Sequence, residues 1–166
     1  GMGCGPQAAR SSQFVTQVLQ RMLSAKLPVE AAVQSINALL HADQRELFAT
    51  LDFLCYDQRR HQAFLSKSGA CPTYLIRQGE VMEISGESLP IGIIQEIETD
   101  CFQIECQDQD CFVMSSDGVE KQVLDQWVRG GDPDQILQRI ESGLKSIEET
   151  GCTDDVTVLV ARVSKR

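Results

Sequence analysis

The feature that most constrains this chain is a change of hydrophobic period near Leu47. Before that point Val15, Val18, Leu19, Met22 and Leu23 recur at helical spacing, and after Pro28 so do Val29, Ala32, Val33, Ile36, Leu39 and Leu40. Apolar residues three and four apart line one face of a helix. The spacing predicts a helix over 6–26, with Pro6 in its first turn, and a second helix from 28 to 40. The two make a helical hairpin whose apolar face needs a partner. Beyond Leu47 the apolar runs become short and are broken by Gly, Pro and Asp. They predict strands over 48–56, 62–67, 73–76, 81–84, 93–98, 101–106 and 111–114, with turns at 57–60 and 78–79. Two helices follow, over 121–128 and 133–149, and then a strand over 156–163 whose continuous apolar run implies burial on both faces. Helices, mostly hairpin-linked strands, helices and a final strand describe an α+β chain with helices packed on antiparallel sheet.

Bulk properties narrow the function. A chain of 166 residues suits a single domain and buries a sizeable core. Its 42% hydrophobic and 23% charged residues are those of an ordinary soluble protein. No apolar run approaches ~20 residues and no signal-peptide pattern opens the chain, so neither a membrane span nor secretion is expected. The formal charge of −9 argues against a nucleic-acid partner, whose phosphates need compensating Lys and Arg. Seven cysteines without a framework rhythm imply reduced thiols and a cytoplasmic location. Cys101, Cys106 and Cys111 are evenly spaced, but on an extended chain the first two point to opposite faces. With no Cys-x-x-Cys pair and only His41 and His61 for imidazole, structural thiols are a better reading than zinc. The run Gln107-Asp108-Gln109-Asp110 reads as a solvated hairpin loop rather than a calcium loop, which needs more ligands. Trp127, on an amphipathic helix, reads as core or rim packing.

The chemistry concentrates in two acidic runs. Phe112-Val113-Met114-Ser115-Ser116-Asp117-Gly118 brings an apolar strand to an abrupt Asp-Gly, and Thr153-Asp154-Asp155-Val156-Thr157 opens the last strand. Taken singly, Ser-Asp-Gly is a common turn and Asp-Asp a common cap or solvated strand mouth. Taken together, carboxylates at the ends of neighbouring strands repel one another unless a cation lies between them. With so few histidines that cation is hard, Mg²⁺ or Mn²⁺, held through oxygen. Gly1-Met2-Gly3-Cys4-Gly5 opens the first helix and is able to bring backbone to the same place.

Further motifs join these. Gly1-Met2-Gly3-Cys4-Gly5 is similar to an Asp-Gly-Met-Gly-x-Gly motif, Ala49-Thr50-Leu51-Asp52 to Ala-Thr-Leu-Asp, and Lys67-Ser68-Gly69-Ala70-Cys71-Pro72 to Lys-x-Gly-x-x-Pro. Leu89-Pro90-Ile91-Gly92, Ser116-Asp117-Gly118 and Asp154-Asp155-Val156-Thr157 complete the set. In that order and spacing the chain resembles the metal-dependent serine/threonine protein phosphatases of type 2C, in the bacterial branch typified by stage II sporulation protein E. The resemblance implies an antiparallel β-sandwich flanked by helix pairs, the αββα arrangement, with two Mn²⁺ or Mg²⁺ ions at one edge. Carried over residue by residue, Gly1 is the backbone carbonyl donor and Asp117 and Asp154 are carboxylate metal ligands. Asp155 shapes the strand entrance, while Cys4 and Ser116 are supporting or structural.

The resemblance also implies a departure. The family's bridging Asp belongs immediately before Gly1, so residues 1–166 are expected to be a single, N-terminally truncated phosphatase-like domain lacking its N-terminal strands. Hydrolysis of phosphoserine or phosphothreonine by a metal-activated water is then expected, impaired in this fragment. The alternative is a catalytically inactive, phosphatase-like interaction module. The implied partner is a phosphorylated protein, of the anti-sigma-factor antagonist type. Unpaired sheet edges favour a homodimer. The helical hairpin has two readings, a cover for the sheet or also a regulatory lever, because its first turn carries the glycine motif.

Overall fold

The computed structural model describes residues 1–3, 5–43, 47–150 and 154–164. Cys4 and Thr153, both part of the motifs above, lie outside the described residues. The elements run α1 (Gly5–Ser24), α2 (Val29–His41), β1 (Leu51–Asp57), β2 (Gln62–Ser68), β3 (Thr73–Arg77), β4 (Glu80–Ile84), β5 (Asp100–Glu105), β6 (Cys111–Ser115), α3 (Lys121–Val128), α4 (Pro133–Thr150) and β7 (Val158–Arg162). One sheet has the order β1-β2-β5 and the other β4-β3-β6-β7, the second antiparallel at every pairing. The chain is therefore α+β with antiparallel sheet, as its hydrophobic periods imply. It divides into two compact units, one of Gly1–Cys55, Phe64–Ala70 and Gly86–Gln103, the other of Tyr56–Ala63, Cys71–Ser85 and Ile104–Arg166.

In the first unit, Val15 and Leu19 of α1 meet Ala32, Val33, Ile36 and Leu40 of α2, together with Leu47, Ala49, Leu51, Ile91 and Ile97. Each fully buried aliphatic side chain of this kind contributes about 1.5–3 kcal/mol. α1 stops because Lys26 takes a left-handed φ of 63°. Its N–H bonds the Leu23 carbonyl, and the Leu27 N–H reaches back to Met22. That paired closure satisfies carbonyls the helix leaves open, and Pro28 follows it.

The strand expected over 93–98 does not form. Asn37 of α2 donates to the carbonyls of Ile94 and Gln95, each at 3.0 Å, and accepts the Gly92 N–H at 2.8 Å. Gln34 donates to the Ile97 carbonyl. Helix side chains thus hold a backbone that would otherwise join a sheet ladder, and Ile93 and Ile94 stay substantially exposed.

In the second unit, Tyr74 and Ile76 of β3 and Cys111 and Val113 of β6 pack with Leu124, Trp127 and Val128 of α3 and Ile136 and Ile140 of α4. Trp127 is a core residue, and its indole lies where a Cβ on Gly143 of α4 would stand, 2.2 Å from the ring. The Tyr74 hydroxyl donates to the Asp125 carboxylate of α3. Burial, and then that carboxylate, push the phenol above its ordinary pKa and keep it a donor.

Two further expectations are corrected here. The run 107–110 joins strands of different sheets, so it is no hairpin. Nor is it fully solvated: Asp110 is buried, with Arg77 Nε and Nη2 on its two oxygens at 3.0 and 2.6 Å and the Gln107 N–H at 2.8 Å. The last strand is not covered on both faces either. β7 ends its sheet, and Leu159 is 51% exposed although Met114, its partner on β6, is buried.

Candidate metal centre

Antiparallel pairing decides where the acidic runs go. β6 ends at Ser115 and β7 begins at Val158, and these two residues are register partners. The segment leaving β6 and the segment entering β7 therefore emerge side by side. Ser116 continues the ladder by one step: its N–H donates to the Thr157 carbonyl at 2.9 Å. The Ser116 hydroxyl accepts the Thr157 N–H at 2.9 Å and donates to the Asp155 carbonyl at 3.3 Å. The Ser116 carbonyl accepts from Val119 N–H at 3.3 Å, which makes Asp117 and Gly118 the central residues of a tight turn.

Gly118 is there because nothing larger fits. A Cβ at that position would stand 2.5 Å from the Asp155 carbonyl oxygen and 3.2 Å from Val156 Cγ2. On the facing segment, Asp154 Oδ1 accepts the Asp155 N–H at 2.8 Å. Asp117, Asp154 and Asp155 are all exposed. The structure thus brings Asp117 and Asp154 to the same end of one strand pair, with their main chains in contact through Gly118 and Asp155.

As donors these are hard carboxylate oxygens, which suit Mg²⁺ or Mn²⁺. Among the described residues, no three His, Cys, Asp or Glu side chains gather as a metal-binding group. The donor chemistry fits a divalent ion. Gly1 belongs to the other unit. There a Cβ on it would strike the Ala8 carbonyl at 2.0 Å, and the neighbouring Met2 N–H donates to Phe48 at 3.0 Å. The evenly spaced cysteines have other surroundings: Cys101 is exposed with its thiol 3.7 Å from the Ser66 hydroxyl, while Cys106 and Cys111 are buried.

The remaining motifs meet one another inside the first unit. Lys67 is wholly buried, and its Nζ lies 2.8 Å from Asp52 Oδ1, which ties Lys-x-Gly-x-x-Pro to Ala-Thr-Leu-Asp. Ser68 Oγ donates to the Leu89 carbonyl at 2.6 Å, and Gly69 N–H donates to Ser88 at 2.8 Å. Gly69 has a φ of 62°, and a Cβ there would enter the Pro90 ring at 2.5 Å. Ala49 and Ile91 exchange both backbone hydrogen bonds, at 3.1 and 2.8 Å. Asp100 holds the turn between them by accepting N–H from Glu87 and Ser88, each at 2.8 Å; the Ser88 bonds keep its carboxyl below its ordinary pKa. The sequence shows these motifs, but their mutual contacts and the buried Lys67 are visible only in three dimensions.

A family model for stage II sporulation protein E (SpoIIE) matches residues 1–164. Stage II sporulation protein E of Priestia megaterium is 30% identical over 176 residues, covering 98% of this chain and 30% of that protein, so the chain spans under a third of the relative's length. Among solved structures, the PP2C phosphatase domain with a fragment of the regulatory domain of SpoIIE from Bacillus subtilis is 27% identical. It has a TM-score of 0.82 and is matched over 98% of this chain and 52% of that one. RsbX in complex with magnesium, 20% identical over 99% of this chain and 78% of that one, shares the fold with a TM-score of 0.74. The chain therefore belongs to the SpoIIE family and has the fold of a PP2C-type phosphatase domain.

Proposed function

We propose that the chain is a phosphoprotein phosphatase domain that hydrolyses phosphoserine or phosphothreonine at a centre for two Mn²⁺ or Mg²⁺ ions. The observation that carries this reading is the convergence of Asp117 and Asp154 at one end of the β6–β7 pair, in a chain of this family. Support for a divalent ion comes from the fold neighbour RsbX, solved with magnesium. Asp117 and Asp154 are the carboxylate ligands in this reading, and Gly1 enters as a carbonyl ligand through the family motif alone. When bound, such ions acidify water and neutralise the charge on a phosphoryl group. The chain's own contribution is positional: the Ser116–Thr157 pairing fixes where the two carboxylates start, and Gly118 keeps the segments in contact. No side-chain nucleophile is needed.

Two carboxylates shared between two divalent ions leave most positions to water, since each ion takes about six ligands. We therefore place metal binding by this chain in the weak range and its turnover well below that of a complete centre. A phosphorylated anti-sigma-factor antagonist, acted on in the cytoplasm, is the substrate class the family resemblance brings. The short donor set also favours a second reading, a phosphatase-like interaction module without turnover.

The test is Mn²⁺ titration followed by electron paramagnetic resonance, together with phosphoserine-peptide hydrolysis, for the wild type, Asp117→Asn and Asp154→Asn. Weak Mn²⁺ binding and slow hydrolysis, both lost in each variant, are expected. Peptide binding with no turnover at saturating Mn²⁺ would favour the module. Hydrolysis indifferent to both substitutions would remove the assignment.

A further inference from the structure

We infer that the Ser116 hydroxyl is the positioning group that releases Asp117 from the sheet while keeping it in register with Asp154. This rests on the metal-centre reading above and concerns how the centre is built.

In a regular antiparallel ladder, two directly opposed residues exchange both N–H···O=C bonds. Ser116 and Thr157 make only half of that exchange with main chain. The Ser116 N–H reaches the Thr157 carbonyl at 2.9 Å, whereas the Thr157 N–H goes to the Ser116 hydroxyl, also at 2.9 Å. The Ser116 carbonyl has left the ladder and accepts Val119 N–H at 3.3 Å, closing the turn that displays Asp117 and Gly118. The side-chain oxygen has thus taken the place of the residue's own carbonyl. Its proton is used as well, on the Asp155 carbonyl at 3.3 Å, next to Asp154.

This substitution resolves a conflict. A carboxylate ligand on a turn needs the strand to end, but a second ligand on the partner strand needs the pairing to persist. A main-chain carbonyl cannot close the turn and complete the ladder equally well in two directions. A serine at the branch point supplies the second acceptor, and its hydroxyl bridges both Thr157 and Asp155. Alanine offers no oxygen here, while threonine keeps it. Groups that orient metal ligands without touching the ion are commonly worth 10- to 100-fold in affinity.

The experiment compares wild type, Ser116→Ala and Ser116→Thr by two readouts on the full chain. The first is amide hydrogen exchange without metal. In Ser116→Ala the Thr157 amide is expected to exchange at least ~10-fold faster, with the Met114 and Leu159 amides of the β6–β7 ladder unchanged and Ser116→Thr close to wild type. The second is Mn²⁺ affinity, expected to fall ~10-fold in Ser116→Ala and to be restored in Ser116→Thr. Uniformly faster exchange along β6 and β7 would make Ser116 an ordinary stabilising residue and overturn the positioning role. Unchanged Mn²⁺ affinity in Ser116→Ala, with Asp117→Asn still abolishing binding, would overturn it while sparing the metal centre. Equal Mn²⁺ binding by wild type, Asp117→Asn and Ser116→Ala would overturn both.

Discussion

The buried pair Lys67–Asp52 gives the sharpest test of the structural argument, because the two ends of one interaction differ in surroundings. The Lys67 side chain is 0% exposed and that of Asp52 17%, with 2.8 Å between Nζ and Oδ1. At that distance, and an effective dielectric of about 20, the attraction is about 6 kcal/mol. Removing the two charges from water costs several kcal/mol for each, so the intact pair stands near break-even. The asymmetry emerges when one partner is neutralised. Asp52→Asn takes the carboxylate away from an ammonium at zero exposure, and is expected to cost about 3–5 kcal/mol. Lys67→Met leaves a carboxylate that still touches water, and should cost less, about 1–3 kcal/mol. The double variant should recover part of the sum, a coupling of about 1–3 kcal/mol.

Urea denaturation followed by circular dichroism measures all four corners of this cycle, and thermal melts check it. For a chain of this size each kcal/mol moves Tm by about 2–4 °C, so Asp52→Asn should fall by roughly 6–20 °C. The reasoning fails if Lys67→Met is the more damaging change, or if Asp52→Asn costs under about 1 kcal/mol. Either result would mean that the ammonium reaches water or is held by groups besides Asp52. A cycle that is additive within error would show that the pair is incidental, and that Ala-Thr-Leu-Asp and Lys-x-Gly-x-x-Pro are joined by packing alone.

Two other predictions concern the candidate centre and the response to acid. Gly118→Ala places a Cβ 2.5 Å from the Asp155 carbonyl oxygen, so the turn and the facing segment must separate. A stability loss of about 1–3 kcal/mol by urea titration, with weaker Mn²⁺ binding, is expected, and an unchanged midpoint would show that the segments part freely. Asp57, Glu83 and Asp100 all have lowered pKa values, caused first by the Arg60 N–H, the Lys121 ammonium and the Ser88 N–H respectively. Because the folded values lie below the unfolded ones, their stabilisation is complete above the ordinary carboxylate range. It is lost as pH falls through the lowered values, below about pH 4. Melting temperature against pH should therefore drop on that limb, less steeply in Asp100→Asn; a slope identical to wild type would remove Asp100 from the account.

Local pattern carried the helices. Val15, Val18, Leu19, Met22 and Leu23 define the buried side of α1 by spacing alone, and α2, α3 and α4 follow in the same way. What escaped was decided by partners far along the chain. The segment 93–98 has the composition of a strand, yet Gln34 and Asn37, some sixty residues earlier, take its carbonyls. Asp110 lies in a run that looks solvated and is buried because Arg77 of β3 arrives with two nitrogens. Lys67 belongs to a turn motif in the sequence, and its burial beside Asp52 emerges only from the fold. The continuous apolar run of β7 suggested burial on both faces, but what covers a strand depends on which neighbours the topology supplies.

The candidate centre divides along the same line. That Asp117 and Asp154 share a strand-pair end was legible, since one acidic run closes an apolar strand, the other opens one, and antiparallel partners bring such ends together. How Ser116 supports them was not, because the sequence assigns a serine beside an aspartate no register. Only when Ser115 is known to face Val158 does Ser116 fall opposite Thr157, and only then does its hydroxyl become the acceptor the ladder lacks. Glycine at 118 has the same origin: its φ is unremarkable for any residue, and the constraint is the Asp155 carbonyl across the gap. Both residues are local in sequence but non-local in cause. Substitutions at 118 should accordingly act through the separation of the two segments, and those at 116 through the hydroxyl that spans them, so that Ser116→Thr holds the metal affinity that Ser116→Ala loses.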